Sequence, residues 1–247
     1  MDMRKSARFA RLPELTMQQH RQPELMDDPH LNVEQHIHAL HGLERINRWS
    51  ASVHALWSPI RALAGQEPKR SLRVLDIATG AGDIPIKIWH RVHRAGVRIV
   101  VDGCDRSPIA IAYAQRRAKQ RRADVHFFGL DALTNEIPPG YDVVTCSLFL
   151  HHLNDENVVR LLRSMAQAAR RLVVISDLVR SRTGLALAYL GTRLLSTSAV
   201  VHVDGPRSVR AAYTVEEARA LATRAGMDHA AIWPRWPCRY LMLWKRP

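Results

Sequence analysis

The sequence lacks a long apolar run. A membrane-spanning helix needs about 18–20 consecutive apolar residues, and the longest candidate, Gly184 to Leu195, is shorter and contains Thr192 and Arg193. The N-terminal stretch "MDMRKSARFARLPEL" has no apolar core of the kind found in secretory signals. We therefore expect a chain that neither crosses a membrane nor enters the secretory pathway.

Cysteine is also scarce. Cys104, Cys146 and Cys238 are isolated, with no CxxC pair and no Cys/His spacing typical of a metal centre. This pattern predicts no metal site and favours a reducing compartment, so we expect a cytoplasmic protein.

Acidic residues are outnumbered by basic ones. There are 23 Asp and Glu against 36 Lys and Arg, which gives a formal net charge of +13. Such a balance permits attraction to nucleic acid, anionic lipid or an acidic partner. The basic runs "QRRAKQRR" (115–122) and "ARR" (169–171) lie on predicted helices, where a solvated face explains them equally well. Charge alone therefore assigns no function.

The chain divides into two parts. Residues 1–30 are polar and contain three prolines, which predicts an irregular arm. Apolar residues then recur at helical spacing from Asn32 to Leu63, so residues 1–65 are interpreted as an arm and a helical cap or lid. After the linker "AGQEPKRS", strands and helices alternate, and residues 70–247 are interpreted as one α/β domain with a helical substrate insertion at about 178–212.

The α/β part predicts seven strands. Five of them alternate with helices: Leu72–Ala78, Val97–Cys104, Val125–Phe128, Tyr141–Ser147 and Arg171–Ser176. The last two surround the "WPC" turn, after a helix that starts with a capping box at Thr214 and Glu217. The predicted fold is a Rossmann-like, doubly wound, seven-stranded sheet with an antiparallel last strand pair and an N-terminal helical cap.

A glycine-rich turn follows the first strand, in "VLDIATGAGDIP" (74–85). In doubly wound sheets, ligands bind beyond the carboxyl ends of the strands. The turn lacks the Lys-Ser/Thr pair of a triphosphate-binding loop. It also departs from the dinucleotide pattern G-x-G-x-x-G, because the third glycine position is Pro85. NAD is thereby disfavoured but not excluded.

Three carboxylates favour a different ligand. Asp76, Asp105 and Asp131 follow or end three successive strands, so they meet at one edge of the sheet. Asp105 is placed to accept hydrogen bonds from ribose hydroxyls and Asp131 from an adenine amino group. This pattern fits S-adenosylmethionine, which has no phosphate.

With these motifs the chain resembles the class I S-adenosylmethionine-dependent methyltransferases, from about Leu72 to Trp244. "VLDIATGAGDI", "GCD", "FFGLDAL" and "YDVVTCSLFLHHL" are similar to the family's first four motifs, although Ala78 replaces the first glycine of the turn. The resemblance is strongest to the small-molecule group related to ubiquinone and menaquinone biosynthesis. It implies that S-adenosylmethionine is held by Asp76, Ala78, Gly80, Gly82, Asp105, Arg106, Asp131, Ala132 and Ser147. In particular, it implies that Asp76 and the glycines hold the methionine portion, Asp105 the ribose, and Asp131 with Ala132 the adenine.

The fourth motif bears on the methyl acceptor. Base-methylating members commonly carry [DN]-P-P-[YF] where this chain has "SLFLHH", and Cys146 follows Thr145 inside a strand, so methylation of nucleic acid is disfavoured. His151 and His152 follow the fourth strand and are candidate general bases for a hydroxyl acceptor. Their alternative role is structural, and His202 is a weaker candidate base.

The acceptor pocket is expected in the variable parts of the chain. The apolar segment 184–200 is interpreted as a substrate wall, or else as core packing or a dimer seam. Further candidates for the acceptor site or its lid are Trp49, Trp57, Tyr189, Arg207, Arg210 and Tyr213. We predict methylation of a small, hydrophobic, hydroxylated acceptor, with oxygen favoured over carbon, by a monomer or homodimer that can contact a membrane surface. An RNA-directed methyltransferase and a non-catalytic cofactor-binding protein are the alternatives.

Overall fold

The computed structural model describes residues 17–28, 30–49 and 52–247, apart from the side chains of residues 48, 49 and 52. It contains a seven-stranded sheet in the order β3-β2-β1-β4-β5-β7-β6. The strands are β1 (Leu72–Ile77), β2 (Ile99–Asp105), β3 (His126–Gly129), β4 (Tyr141–Ser147), β5 (Ala169–Leu178), β6 (Ala231–Arg235) and β7 (Arg239–Lys245). The first five strands pair in parallel, and β7 is antiparallel to both β5 and β6. The predicted fold is confirmed.

The helices cover both faces of this sheet. Their bounds are α1 (Val33–Trp49), α2 (Ser52–Gln66), α3 (Asp83–Ala95), α4 (Pro108–Gln120), α5 (Asp155–Ala168), α6 (Arg182–Leu195), α7 (Ala199–Ala211) and α8 (Val215–Arg224). One core joins the sheet to α5 and α8, and the other joins it to α2 and α3. Because both faces are covered, the central strands β1 and β4 are buried almost throughout, and the buried residues include Asp76, Asp142 and Thr145.

The strand order places a ligand site next to β1. Chain connections run outward from β1 to β2 and β3 on one side and return to β4 and β5 on the other. At such a switch point the loops diverge and leave a crevice beyond the carboxyl ends of the strands. Asp76, Asp105, Ser147 and Asp177 all lie at or near the carboxyl ends of their strands, which places them around this crevice.

The two N-terminal helices, α1 and α2, pack against different parts of the protein. Helix α1 packs against α6 and α7 above the crevice, whereas α2 packs against α3 and the sheet. Trp57, on α2, is buried in the core with Leu56 and Ile60, so the expectation that it forms a lid is wrong. The side chain of Trp49 lies outside the described residues. Of these two helices, α1 is therefore the one that lines the crevice.

The apolar segment 184–200 is broken rather than continuous. Helix α6 ends at Leu195, and Ser198 starts α7 by accepting a hydrogen bond from the Val201 N–H group. The two helices pack against each other as a hairpin. None of the described helices is long and apolar enough to cross a membrane.

Candidate functional site

The glycine turn after β1 is built from left-handed backbone conformations. Ala78, Gly80 and Gly82 have φ angles of 53°, 52° and 68°. The Gly80 N–H group donates to Asp105 Oδ2 at 2.8 Å, and a Cβ atom on Gly80 would have no described atom within 4 Å. A Cβ atom on Gly82 would instead meet the Phe127 ring at 2.7 Å. Gly80 therefore leaves room for a ligand, whereas Gly82 makes room for the packing of the protein itself.

Asp76 lies beneath this turn. Its Oδ1 atom accepts from the Thr145 hydroxyl at 2.7 Å, and its Oδ2 atom accepts from the Thr79 hydroxyl at 3.0 Å. Burial raises the pKa of Asp76 to about 7, against the opposing effect of these two hydrogen bonds. In the structure Asp76 supports the turn from below, and a direct contact with the methionine portion stays a prediction.

The other two carboxylates face the crevice. Asp105 lines it while its Oδ1 atom accepts from the Ser107 N–H group at 2.9 Å. Asp131 also lines it, next to the buried Ala132, and its Oδ1 atom accepts from the Leu133 N–H group at 2.9 Å. Each carboxylate is thus oriented by the backbone and retains lone pairs for a ligand.

These residues border a single cavity of about 1000 Å³. One half is lined by Ala78, Gly80, Asp105, Arg106, Asp131, Ala132 and Ser147. The other half is lined by apolar side chains of the N-terminal segment and the cap, Met26, Leu31, Leu40 and Leu43, and by Leu187 and Val201 of the helical insertion. Because ligand sites usually measure about 300–1000 Å³, this cavity has room for a cofactor and an acceptor side by side.

The chemistry of the first half fits S-adenosylmethionine. Carboxylates accept from hydroxyl and amino groups, and they repel phosphate. Asp105 and Asp131 lie where ribose hydroxyls and an adenine amino group need acceptors, and the exposed Arg106 is paired with Asp27 at 3.3 Å. Gly80 leaves the backbone open to close approach. The residues present therefore suit a cofactor without phosphate.

A buried histidine–aspartate pair borders the second half. His151 Nδ1 lies 2.6 Å from Asp177 Oδ1, and both side chains are buried. Asp177 also accepts from the N–H groups of Phe149 and Leu150 at 3.1 and 2.7 Å. Burial alone raises the pKa of Asp177, but His151 and the backbone donors hold it below its usual range. In the tautomer whose Nδ1–H group donates to Asp177, His151 Nε2 carries the free lone pair, and it lies 3.7 Å from Glu24 Oε1.

His152 has a different environment. Its Nδ1 atom lies 3.1 Å from Asp27 Oδ2, and its Nε2 atom lies 3.8 Å from Glu24 Oε2. Burial alone lowers the pKa of His152, but the Asp27 hydrogen bond and the charges of Glu24, Asp27 and Asp177 raise it to about 9. At neutral pH His152 is therefore an imidazolium that binds the N-terminal segment, and it has no free site for a proton.

Glu24, His151 and His152 form a cluster that could hold a metal ion. Their possible ligand atoms lie within 4.8 Å of one another. The prediction of no metal site rests on the sequence spacing of Cys and His residues alone. That spacing could not reveal a cluster with Glu24, which lies far from both histidines in sequence. The raised pKa of His152 favours a proton in this position.

The described residues that we expected at the acceptor site do not line the cavity. Tyr213 is buried, and its hydroxyl donates to the Leu153 carbonyl at 2.9 Å. Tyr189 lies on the outer surface of α6, with Arg193 over its ring and Arg210 3.5 Å from its hydroxyl. Arg207 donates to the Pro23 carbonyl at 2.9 Å. The orientation of α6 and α7 turns Tyr189 toward the surface and Arg207 toward the N-terminal segment, and Tyr213 enters the core from the connection between α7 and α8.

His202, the weaker candidate base, is also away from the chemistry. Its Nε2 atom lies 2.8 Å from the Ser196 carbonyl oxygen, between α6 and α7. It therefore has a structural partner at the break between the two helices.

Several cavity residues were missed from sequence. Asp177, Glu24, Asp27 and Arg239 all line the cavity or contact residues that do. Burial lowers the pKa of Arg239 to about 10, although Asp177 and Asp83 act in the opposite direction. For Asp177 a signal exists in "ISDL" at the end of β5, since Asp76 and Asp105 lie at equivalent strand ends. No comparable sequence pattern points to Glu24 and Asp27 of the N-terminal segment.

Comparisons with known proteins agree with this geometry. The family described as "Methyltransferase domain" matches residues 74–171. The demethylmenaquinone methyltransferase of Thermus thermophilus is 34% identical over 109 residues, which are 43% of this chain and 48% of that protein. The chain thus matches about half the length of this curated relative.

Two solved structures share the fold. The magnesium protoporphyrin IX methyltransferase of Synechocystis PCC 6803, with bound SAH, aligns with a TM-score of 0.55 at 18% identity, over 82% of this chain and 87% of that one. An O-methyltransferase family 2 protein of Planctomyces limnophilus, in complex with apigenin, aligns with a TM-score of 0.58 at 19% identity, over 89% and 63% of the two chains.

Proposed function

We propose that this chain, which carries a class I S-adenosylmethionine-dependent methyltransferase domain, methylates a small, hydrophobic acceptor at a hydroxyl oxygen. A phenol, a quinol or a polyketide-like molecule has the required chemistry. The proposal includes a cytoplasmic protein, present as a monomer or homodimer, with little affinity for nucleic acid. The observation that carries it is the shared cavity, which is bordered by Asp105 and Asp131 and also by His151, the hydrogen-bond partner of Asp177.

The apolar half of the cavity supports a hydrophobic acceptor. Leu40 and Leu43 of α1, Met26 and Leu31 of the N-terminal segment, and Leu187 of α6 face the space beside the histidines. Burying the acceptor's apolar surface against such a lining contributes about 25 cal/mol per Å². The curated relative that acts on demethylmenaquinone, by its name, and the structural neighbour crystallised with apigenin are consistent with acceptors of this kind.

His151 is the proposed general base. When bound, S-adenosylmethionine supplies an electrophilic methyl group on its sulfonium. His151 Nε2 accepts the acceptor's hydroxyl proton as the oxygen forms its bond to the methyl carbon, and the carbon–sulfur bond breaks. Asp177 holds the imidazole ring in the required orientation and stabilises the resulting positive charge.

The N-terminal segment, residues 17–28 and 30–31, closes the cavity from above. The N–H groups of Leu25 and Met26 donate to the Asp204 carboxylate at 2.8 and 3.0 Å. Glu24 accepts from the Ser208 hydroxyl at 2.5 Å, and Asp27 binds both His152 and Arg106. Holding the segment at both ends of the cavity excludes water and keeps the two reactants close, which is the main contribution that a displacement reaction needs.

The test is turnover of methyl-labelled S-adenosylmethionine by the purified protein with a panel of phenols and quinols. We expect a labelled O-methyl product, identified by NMR, with at least one acceptor. A labelled C-methyl product would keep the enzyme and overturn the acceptor atom. Tight cofactor binding without any product would favour the non-catalytic alternative, and labelling of RNA instead would favour the RNA-directed one.

A further inference from the structure

The helical insertion, residues 178–212, presents an apolar surface to solvent. Among the side chains that the structure describes, nine large hydrophobic ones are exposed, and five belong to α6 or α7. They are Leu187, Tyr189, Leu190, Leu194 and Val203. Leu190 and Leu194 are 62% and 81% exposed. Clustered exposure of this kind marks an interaction surface, whereas single exposed residues do not.

The exposed side of α6 is itself divided. At about 100° per residue, Leu187, Leu190 and Leu194 fall within an arc of about 60°. Arg182, Tyr189 and Arg193 fall in a neighbouring arc of about 40°, and the two arginines and the tyrosine are exposed. A leucine stripe beside a basic and aromatic stripe is typical of a helix that lies in a membrane interface.

The charge around these stripes has one sign. The insertion contains five arginines and a single acidic residue, Asp204. Asp204 is buried and accepts hydrogen bonds from the N–H groups of Leu25 and Met26. The accessible charge of the insertion is therefore positive, in a chain whose formal net charge is +13.

The opposite side of α6 lines the cavity. Ala188, Gly191 and Thr192 border it, and Leu187 is both a cavity residue and partly exposed. One helix thus separates the apolar half of the cavity from the apolar outer surface. For an acceptor that leaves a bilayer next to α6, this helix is what separates the bilayer from the cavity.

We infer that the exposed side of α6 binds an anionic lipid surface, with the leucines entering the acyl boundary and the arginines contacting headgroup phosphates. Anionic headgroups attract each basic residue that lies near the bilayer surface. A second copy of the chain fits the same surface less well. Two-fold pairing through α6 would bring identical arginines together, and the insertion has no exposed acid to pair with them.

The experiment is co-flotation of the full chain with vesicles, either of phosphatidylcholine alone or of phosphatidylcholine mixed with phosphatidylglycerol. We expect binding to the mixed vesicles and little to the neutral ones. The double variant Leu190→Ser/Leu194→Ser should bind at least about tenfold more weakly, and Arg182→Gln/Arg193→Gln should show a similar loss on the mixed vesicles only. The readout is binding, so its failure would leave the proposed methyl transfer untouched.

Matched controls separate this surface from general charge and hydrophobicity. Val100→Ser removes an exposed apolar side chain on β2, and Arg94→Gln/Arg98→Gln removes two exposed charges beyond the insertion. Both should bind vesicles like the unmodified chain. Equal losses in the control and test variants would overturn the inference, as would absence of binding to the mixed vesicles. It would also be overturned by a dimer, measured by light scattering, that becomes a monomer in Leu190→Ser/Leu194→Ser.

Discussion

His151 Nδ1 lies 2.6 Å from Asp177 Oδ1, and this contact joins the loop after β4 to the end of β5 inside the cavity. It orients one ring nitrogen and leaves the other available toward Glu24 Oε1, 3.7 Å away. His152, the next residue, also has carboxylates near both ring nitrogens, Asp27 at 3.1 Å and Glu24 at 3.8 Å. The two adjacent histidines thus share Glu24 and differ in their second carboxylate, which is the buried Asp177 for His151 and the more exposed Asp27 for His152.

We expect His151→Gln and Asp177→Asn each to lower kcat by about 10²-fold or more, since general base catalysis commonly contributes 10²–10⁴-fold. His152→Gln is the matched control and should lose less of kcat than His151→Gln, because an imidazolium at neutral pH accepts no proton. A larger loss in His152→Gln than in His151→Gln would assign the base to His152.

His152 should stabilise the fold in a pH-dependent way. Its pKa in the folded protein is about 9, above the ordinary value of 6.5, so the folded state binds this proton more tightly than the unfolded state does. The resulting stabilisation is fully present below about pH 6.5. This contribution is lost as the pH rises from about 6.5 to about 9. We expect the Tm difference between the unmodified chain and His152→Gln to be largest near the lower pH and to disappear above the higher one. A Tm difference that is the same at both pH values would contradict the raised pKa of His152.

Gly80 and Gly82 should respond differently to a methyl group. Gly80→Ala places a Cβ atom in open space and costs about 1–2 kcal/mol of stability for the left-handed backbone. Gly82→Ala adds contacts at 2.7 and 2.8 Å with Phe127 and Ala114, so it should lower the free energy of unfolding further, by about 2–4 kcal/mol in total. In calorimetric titrations, Gly80→Ala should weaken cofactor binding although the protein stays folded. Unchanged affinity would contradict a cofactor at this turn.

Asp105→Ala should weaken binding of S-adenosylmethionine by about 2–3 kcal/mol, the value of charge-assisted hydrogen bonds. Asp105 also accepts from the Gly80 N–H group, so part of this loss can come from the turn. Asp105→Asn removes the charge and keeps one acceptor, which can satisfy only one of the Gly80 and Ser107 N–H groups, so it should weaken binding less than Asp105→Ala. Equal affinities of all three proteins, measured by isothermal titration calorimetry, would remove Asp105 from the ribose site.

Chelation should leave turnover unchanged. The positions of Glu24, His151 and His152 can hold a metal ion, but His152 is protonated at neutral pH and His151 Nε2 is needed for the acceptor proton. We therefore expect equal rates before and after treatment with EDTA. Loss of activity that a single divalent metal restores would instead identify this cluster as a metal centre.

The sequence by itself determined the sheet, and it placed the glycine turn and the strand-end carboxylates at one edge of that sheet. Strands such as Tyr141–Ser147 and the glycine turn can be predicted from sequence because they are local features. The residues that form each of them are adjacent in the chain. The Asp105 and Asp131 positions follow from the alternation of strands and helices, which brings successive strand ends to one side of the sheet.

Only the tertiary structure decided which side chains meet at the acceptor. Asp27 and His152 are 125 residues apart in sequence, and their 3.1 Å contact depends on how the N-terminal segment crosses the cavity. Likewise, the inward turn of Ala188 and the outward turn of Tyr189 depend on the angle at which α6 packs. The periodicity of a helix shows which residues share one side of it. It does not show whether that side faces the cavity, another helix or solvent, because this depends on how the helix packs.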